Sequence, residues 1–218
     1  KLPILVAAAK KELVNDRIKL INDAGLQADF ITLNSIAIAN VFDVLGSLKL
    51  PAETSPQGKK AIAILDVGEI VSNLTILVDN RPKFNRDIFL GGRDFTKSIS
   101  NVLRVSLEEA EKIKQDPKER AAEMTTSIES VAFDLVSELR LSFDYFTTET
   151  NLSLSQLFLT GGGTAMEHLR QILSKQLEVD TSCWNPISLL KLGPEISAPE
   201  VNAKASYLGS ALGLALYS

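Results

Sequence analysis

Hydrophobic residues in the first part of the chain form two short runs separated by a segment with helical spacing. The runs Ile4 to Ala9 and Ala28 to Leu33 are each short enough to predict a strand. Between them, apolar side chains recur at the three- and four-residue spacing of one helical face, at Leu13, Val14, Ile18 and Ile21. Gly25 follows at the place where a helix end is expected. The opening therefore predicts a strand, a helix and a second strand parallel to the first.

A second helix and a candidate domain boundary come next. Asn34 or Ser35 can cap a helix that runs to Gly46. The following segment, 47–60, reads SLKLPAETSPQGKK and combines prolines, hydroxyl residues and a charged end. This composition is typical of a linker, and it is the best boundary in the sequence.

Past this boundary the pattern changes to three consecutive strands, at 61–67, 73–79 and 83–90. The segment Asp79 to Pro82 has the composition of a hairpin turn, and it places Pro82 before the paired part of the third strand. Three strands joined by short turns predict an antiparallel meander.

The middle of the chain is helical. Ser106 and Glu109 form a capping box ahead of a helix that ends at Pro117. A long helix is predicted from Lys118 to about Thr148, with a continuous apolar stripe that includes Met124, Ile128, Val131, Leu135, Leu139, Phe143 and Phe146. No strand is predicted between the meander and the end of this helix.

Short strands and helices alternate in the last part of the chain. In chain order we predict a strand at 156–160, a glycine turn at 161–163, a helix at 165–176, a strand at 178–184, a loop at 185–202 and a closing helix at 203–217. The strand at 156–160 should join the sheet built on 61–67. The fold class is therefore α/β with a mixed sheet.

Composition excludes several classes of function. The 218 residues carry 23 Lys and Arg against 27 Asp and Glu, a net charge of −4, which gives no cationic surface for nucleic acid. The single cysteine, Cys183, gives no sign of an oxidising compartment, and we expect it to be buried. Apolar runs fall short of the roughly 18 residues of a membrane span. We expect a cytoplasmic location and no direct insertion into a membrane.

Two glycine turns directly follow hydrophobic strands, at Asp66-Val67-Gly68 and at Gly161-Gly162-Gly163. Glycine lets backbone N–H groups approach an anion closely, so both turns are candidate phosphate cradles. The alternative is that each glycine serves only to make a tight turn. Asp66 could hold Mg²⁺ through its water shell or orient an attacking water, or it could merely cap its turn.

The order of these motifs carries a family resemblance. The most specific part is the run from Arg86-Asp87 through Gly91-Gly92 to Ile99, followed by Leu107 to Glu111. Together with LDVG, LFLTGGG and the closing SYLGSALGLAL, it resembles the second half of an actin-like ATPase, with a ribonuclease H-like fold. Within that superfamily, which includes FtsA and the sugar kinases, the chain most resembles the PilM family of type IV pilus assembly proteins.

The resemblance implies a site for ATP and Mg²⁺. Asp66 and Gly68 would form the second phosphate loop, with Asp66 as the catalytic and metal-holding residue. Glu69 and Ile70 depart from the small residues that many relatives have after this loop, and we expect both side chains to crowd the phosphates.

The same resemblance assigns residues to the nucleoside. Glu111 and Lys114 would grip it, and Gly161, Gly162 and Gly163, with Thr164 beside them, would form the adenosine loop. The spacing of Glu111 and Lys114 also places both on one helix face, where a plain surface ion pair is the alternative.

The resemblance also implies how the chain is divided. Residues 1–48 would hold the C-terminal part of the first lobe and of an extra subdomain, and 60–218 the second actin-like domain with a helical insertion at about 93–150. The family's first phosphate loop is absent from the sequence, and Lys1 leads directly into the first predicted strand. We therefore expect a fragment that binds ATP weakly by itself.

The function implied is an ATP-binding cytoplasmic scaffold of the pilus assembly machinery, with weak ATPase activity at most. Its partner would be the cytoplasmic peptide of a PilN-type inner-membrane protein, which would keep it peripheral at that membrane. We also expect a homo-oligomer, and no nucleic-acid partner. Two alternatives stay open: an interaction module that works without nucleotide, and an enzyme similar to the sugar or acid kinases of the superfamily.

Overall fold

The computed structural model describes residues 6, 8–44, 59, 61–116, 120–188 and 190–217. Half of the strand predicted at 4–9 and nearly all of the boundary at 47–60 lie outside these residues, and residues 6, 8 and 9 carry no strand. The helices are α1 Lys11–Asp23, α2 Asn34–Val44, α3 Gly92–Leu103, α4 Leu107–Gln115, α5 Ala121–Thr150, α6 Glu167–Leu177, α7 Ala198–Ala203 and α8 Gly209–Ala215. The strands are β1 Ala61–Val67, β2 Ser72–Val78, β3 Arg81–Ile88, β4 Gln156–Thr160 and β5 Thr181–Cys183.

The five strands form one mixed sheet in the order β3-β2-β1-β4-β5. The pairs β1–β2 and β2–β3 are antiparallel, as the predicted meander requires. Strand β4 pairs parallel with β1, from Ile62 opposite Gln156 to Asp66 opposite Thr160. The predicted α/β fold with a mixed sheet is confirmed.

The hairpin between β2 and β3 is tighter than predicted. Only Asp79 and Asn80 form the turn, and both have positive φ angles of 50° and 63°. Pro82 lies inside β3, opposite Leu77, and not before the paired residues. A proline is tolerated there because β3 is an edge strand of the sheet.

Helices cover both faces of the sheet, so the described part has three layers. On one face, alternate residues of β1 and β2 pack with α3, α5 and α6 in the larger core. On the other face, Ile62 and Ile64 pack with Phe42 of α2 and with Trp184. Strand β1 is buried on both faces, which explains its unbroken apolar sequence.

The predicted strand at 28–33 is absent, and the strand–helix–strand interpretation of the opening segment is wrong in that part. Residues 26–33 carry no strand, and the sheet does not extend to them. Phe30 and Ile31 are exposed, and the Phe30 ring lies 4.1 Å from the Tyr217 ring, centroid to centroid. An apolar run predicts a strand only where a partner strand is available, and the described residues offer none here.

The helices between β3 and β4 lie close to their predicted positions. Helices α3, α4 and α5 lie between β3 and β4, and Ser106 caps α4 by accepting a hydrogen bond from the Glu109 amide. The long helix spans Ala121–Thr150, close to its predicted bounds. No helix among the described residues is long and apolar enough to cross a membrane.

The end of the chain is more broken than predicted. Strand β5 covers only 181–183, and the predicted loop contains α7. The single closing helix is instead a short 3-10 turn, Ala205–Tyr207, followed by α8. The break has a physical cause, because the Ser206 carbonyl accepts hydrogen bonds from the Gly161 amide and the Thr160 hydroxyl at 2.9 and 2.8 Å. Cys183 is exposed, contrary to expectation.

Candidate functional site

The two predicted glycine turns meet at one edge of the sheet. Because β1 and β4 are parallel, their carboxyl ends place Asp66 opposite Thr160, next to Gly161. Gly161 has a φ of +79°, and a Cβ at this position would lie 2.3 Å from Oδ1 of Asp66. Glycine is therefore required for the second turn to approach the first, whether or not a ligand binds.

Packing accounts for Gly163 as well. A Cβ at Gly163 would lie 2.4 Å from Cγ1 of Val67, whereas one at Gly162 would face the ring of Tyr207 at 3.3 Å. The Thr164 hydroxyl donates to the Gly161 carbonyl at 2.8 Å and so closes the turn on itself. Thr164 supports the loop from behind, and the glycines form its surface in the cleft.

The run Gly91-Gly92-Arg93 docks onto the loop that follows β1. The Gly92 amide donates to the Gly68 carbonyl at 2.8 Å, and the Arg93 amide donates to the Glu69 carbonyl at 2.7 Å. A Cβ at Gly91 would lie 2.6 Å from the Glu69 carbonyl oxygen. These contacts satisfy the first amides of α3 within the protein and fix the loop Gly68–Glu69 to that helix.

Lys114 is the most constrained charged residue of the site. Its Nζ donates to the Gly92 carbonyl at 3.1 Å, to Oγ1 of Thr96 at 2.8 Å and to Oε2 of Glu111 at 2.7 Å. An ammonium group has three donors, so all of them are engaged within the protein. The side chain is only 13% exposed, so the surface ion pair considered from sequence is a half-buried one.

Glu111 keeps its charge in this setting. Burial by itself would raise the pKa of Glu111, but hydrogen bonds from Lys114, Thr96 and Gln115 outweigh burial and lower the pKa. Its side chain is 42% exposed, so the carboxylate still faces open space. Glu111 can accept further hydrogen bonds, whereas Lys114 has no donor left to offer.

For Asp66, the effect of burial on the pKa outweighs that of hydrogen bonding. Burial raises the pKa of Asp66, and a hydrogen bond from Asn34 offsets part of that shift. Nδ2 of Asn34 donates to Oδ2 of Asp66 at 2.9 Å, and the Ser210 hydroxyl donates to Oδ1 of Asn34. The serine fixes the amide so that its donor faces the carboxylate.

These residues line a common cleft of about 710 Å³. Seven of the eight candidate residues line it, and Thr164 lies just behind. The seven are Asp66, Gly68, Glu111, Lys114, Gly161, Gly162 and Gly163. Residues from α3, α4 and the segment 206–210 complete the walls.

The two side chains expected to crowd the phosphates behave differently. Glu69 lines the cleft, and its Oε1 accepts a hydrogen bond from Arg93 at 2.7 Å. Ile70 is exposed and is not among the lining residues. Only Glu69 therefore stands where a phosphate group could approach.

Sequence reasoning missed several residues of the site, and four of them show why. Thr96 lies within the quoted motif, but its hydrogen bonds to Glu111 and Lys114 depend on how α3 and α4 pack. Tyr207, Asn34 and Ser210 come from distant parts of the chain, and no local spacing connects them to Asp66. Only the tertiary fold brings them together.

The donor set fits Mg²⁺ bound with a nucleotide, and not a cation held by protein side chains alone. No group of three or more His, Cys, Asp or Glu within the described ranges could hold a metal. Mg²⁺ usually keeps several waters and binds through one or two carboxylates plus substrate phosphates. The Asp66 carboxylate, half-buried beside two glycine turns, can supply the protein part of such a site.

Comparison with known proteins identifies relatives of this fold. A family model described as type IV pilus assembly protein PilM matches residues 1–218. The chain is also similar to a chain of the PilM-PilN type IV pilus biogenesis complex, with 25% identity and a TM-score of 0.80. That match covers 95% of this chain and 58% of the solved one, so this chain spans little more than half of its relative.

More distant structures share the fold alone. Ethanolamine utilization protein EutJ from Carboxydothermus hydrogenoformans has a TM-score of 0.64 at 16% identity, covering 91% of this chain and 58% of EutJ. MreB5 of Spiroplasma citri, solved bound to ADP, has a TM-score of 0.61 at 12% identity, covering 97% of this chain and 66% of MreB5. The architecture is that of the actin-like proteins.

Proposed function

This chain belongs to the PilM family of type IV pilus assembly proteins, and we propose that it acts in pilus assembly as an ATP-binding, actin-like scaffold. In this proposal ATP binds with Mg²⁺, and its binding changes the grip of the protein on its partners. Turnover is secondary, so any ATPase activity is weak. Residues 60–218 would be the second actin-like domain, and residues up to 48 would belong to the first lobe and its extra subdomain.

One observation carries the proposal: the ends of β1 and β4 place the carboxylate of Asp66 and two glycine turns in one cleft with Glu111. A single glycine turn is weak support, because packing alone accounts for Gly161 and Gly163. Their combination with a half-buried carboxylate at the shared edge is more specific. The cleft, at about 710 Å³, has the size of a small-molecule site.

In the proposed complex each residue has its own task. Asp66 holds Mg²⁺ through the cation's water shell and is the candidate catalytic residue, with Gly68 and the glycines 161–163 beside the phosphates. Glu111 accepts hydrogen bonds from the nucleoside. Lys114 acts at the nucleoside by holding Glu111, because its own donors are engaged within the protein.

Calorimetric titration of MgATP into the natural full-length protein, beside Asp66→Ala and Glu111→Ala variants, tests this function. We expect binding by the parent protein and a loss of at least about tenfold in each variant, since each removes a charged contact. A protein that assembles pili normally and binds no nucleotide would instead support the nucleotide-independent interaction module.

We also propose a PilN-type partner, because the similar structure is that of a PilM-PilN complex. The partner would contribute a cytoplasmic peptide from an inner-membrane protein, and this contact would keep the chain peripheral at that membrane. Titration with a fluorescent peptide from the cognate PilN-type protein tests the contact. Saturable binding would support it, and no binding by the full-length protein would contradict it.

Self-association is a further part of the proposal. Leu13 and Leu20 of α1 are 61% and 63% exposed, and α1 has no buried residue among those described. Exposed apolar residues concentrated in one segment are typical of an interaction surface. We propose that the segment 1–48, which includes α1, packs against a second copy. Light scattering at high micromolar concentration should give a dimer, and a monodisperse monomer would contradict it.

A further inference from the structure

The pair Glu69–Arg93 lies where an anionic ligand would meet the loop after β1. Both side chains line the cleft, next to Gly68 and Gly92. The Arg93 guanidinium contacts the Glu69 carboxylate at 2.7 Å, and the side chains are 51% and 71% exposed. An unpaired carboxylate at this place would repel phosphate groups, whereas a paired one is largely neutral toward them.

The backbones of the two residues are joined independently of their side chains. The Arg93 amide donates to the Glu69 carbonyl at 2.7 Å, and the neighbouring Gly92 amide donates to Gly68 at 2.8 Å. Removing either side chain therefore leaves the loop attached to α3. An exposed ion pair contributes little to stability, because water and salt screen its charges. The pair is thus dispensable for the fold, although it sits in the cleft.

We propose that Arg93 is a positioning residue of the site, which neutralises Glu69 and so permits a phosphate-bearing ligand to bind beside Gly68. The inference rests on the proposed nucleotide site and adds to it a residue outside the eight candidates. It explains how a carboxylate can occupy a position next to the phosphate loop. Arg93 acts through Glu69, and its effect depends on the charge of the ligand.

The test compares Glu69→Gln, Arg93→Gln and the double variant in the full-length protein. Binding of AMP, ADP and ATP is measured by calorimetry at constant Mg²⁺. Arg93→Gln exposes the carboxylate, so ATP binding should weaken by about threefold to tenfold. Glu69→Gln should bind ATP at least as tightly as the parent, and the double variant should match Glu69→Gln, because Arg93 then has no carboxylate to neutralise. The effects should grow from AMP to ATP and shrink at higher salt.

Matched controls lie outside the cleft. Asp144→Asn on α5 removes one exposed acid, and Lys83→Gln on β3 removes one exposed base. Both should leave nucleotide affinity within about 1.5-fold of the parent, because surface charges beyond a Debye length of about 8 Å are screened. Melting temperatures of all variants confirm that the fold is intact.

The outcomes separate this inference from the proposed function. If the parent binds ATP and the double variant stays as weak as Arg93→Gln, or neither single change has an effect, Arg93 does not act through Glu69 and the inference is overturned. If Glu69→Gln binds ATP where the parent does not, Arg93 does not neutralise Glu69 and the inference is overturned, while the proposed nucleotide site is supported. If none of the proteins binds any of the three nucleotides, the proposed function fails and the inference falls with it.

Discussion

At the scale of single residues, two carboxylates of the site differ in solvation and in hydrogen bonding. Asp66 is poorly solvated and has one side-chain donor, Asn34, whereas Glu111 accepts hydrogen bonds from three neighbours. Their pKa values accordingly move in opposite directions from the ordinary values. A carboxylate that is costly to keep charged gains most from a nearby cation, which favours Asp66 over Glu111 as the metal-holding residue of the proposed site.

The raised pKa of Asp66 predicts how stability without ligand depends on pH. Because the folded pKa exceeds the unfolded one, the folded state binds more protons, and stability from this residue is lost as pH rises through the folded pKa. Asp66→Asn removes this penalty. Its melting temperature should exceed that of the parent at pH 7, and the advantage should vanish below the ordinary aspartate pKa of about 3.9. Thermal melts from pH 3 to 8 check this, and an equal gain at every pH would contradict it.

Replacing Lys114 should destabilise the fold, whereas replacing Lys112 on the same helix should not. Lys114→Met leaves the Glu111 carboxylate without its counter-charge and the Thr96 hydroxyl without its ammonium donor. It also removes one of two side-chain donors from the Gly92 carbonyl, which keeps its hydrogen bond from Thr96. We expect a loss of about 2 to 4 kcal/mol in the free energy of unfolding.

The matched control is on the same helix. Lys112 pairs only with Glu108, and both side chains are largely exposed, so Lys112→Met should cost less than about 1 kcal/mol. Urea unfolding measures both variants. Equal losses would show that the contacts of Lys114 contribute no more than a surface pair.

At the scale of elements, helices α2 and α8 cross at Gly213, which makes the tightest backbone approach among the described glycines. A Cβ at Gly213 would lie 1.8 Å from the Ala37 carbonyl oxygen, and Nδ2 of Asn40 donates to the Gly213 carbonyl at 3.0 Å. The two helices cover one face of the sheet and also present Asn34 and Ser210 to Asp66. Their packing therefore determines the geometry of the cleft.

Substitution of this glycine should separate the helices. Gly213→Ala places a methyl group inside the Ala37 backbone contact, so we expect a loss of about 2 to 4 kcal/mol, at or above the usual range for overpacking. Gly193→Ala is the control, because a Cβ there meets nothing within 4 Å, and it should be neutral or stabilising by up to about 1 kcal/mol. Denaturant unfolding compares them, and a neutral Gly213→Ala would contradict the close crossing.

The elements that sequence predicted well are those whose signals are local. Strand β1 has an apolar run buried on both faces, Ser106 caps α4, and the stripe through Leu135 and Leu139 marks α5. The prediction of a strand at 28–33 was wrong because a strand needs a partner strand, which a local sequence pattern does not reveal. The prediction of a single closing helix was wrong because the Ser206 carbonyl accepts hydrogen bonds from Gly161 and Thr160, which are distant in sequence.

In the candidate site, too, the residues with a local sequence signal were predicted, and the contacts between distant elements were not. Asp66, Gly68 and the glycines 161–163 could be found because their signal is a glycine beside a strand end. The hydrogen bond of Asn34 to Asp66, and the saturation of Lys114 by Gly92 and Thr96, depend on packing between separate elements. Seven of the eight predicted residues therefore line one cleft, while the interactions that determine their charge and orientation required the structure.

At the scale of the whole molecule, the described part presents one wall of a cleft on an actin-like sheet. Phosphoryl transfer needs donors on all sides of the γ-phosphate, and the proposed site assigns residues of this chain to one side only. We therefore propose that this part of the protein responds to bound nucleotide through a change of shape, and that turnover is secondary. We therefore propose nucleotide binding as the central property of the site, and hydrolysis is not required for it.

Titration of MgATP into the natural full-length protein and into its Asp66→Ala variant tests that claim most directly. Asp66→Ala removes the carboxylate proposed to hold Mg²⁺, so the account predicts saturable binding by the parent and a loss of at least about tenfold in the variant. The loss should be smaller for ATP offered without Mg²⁺, because the carboxylate then has no cation to hold. Absence of binding by the correctly folded parent, or equal binding of MgATP by both proteins, would contradict the account.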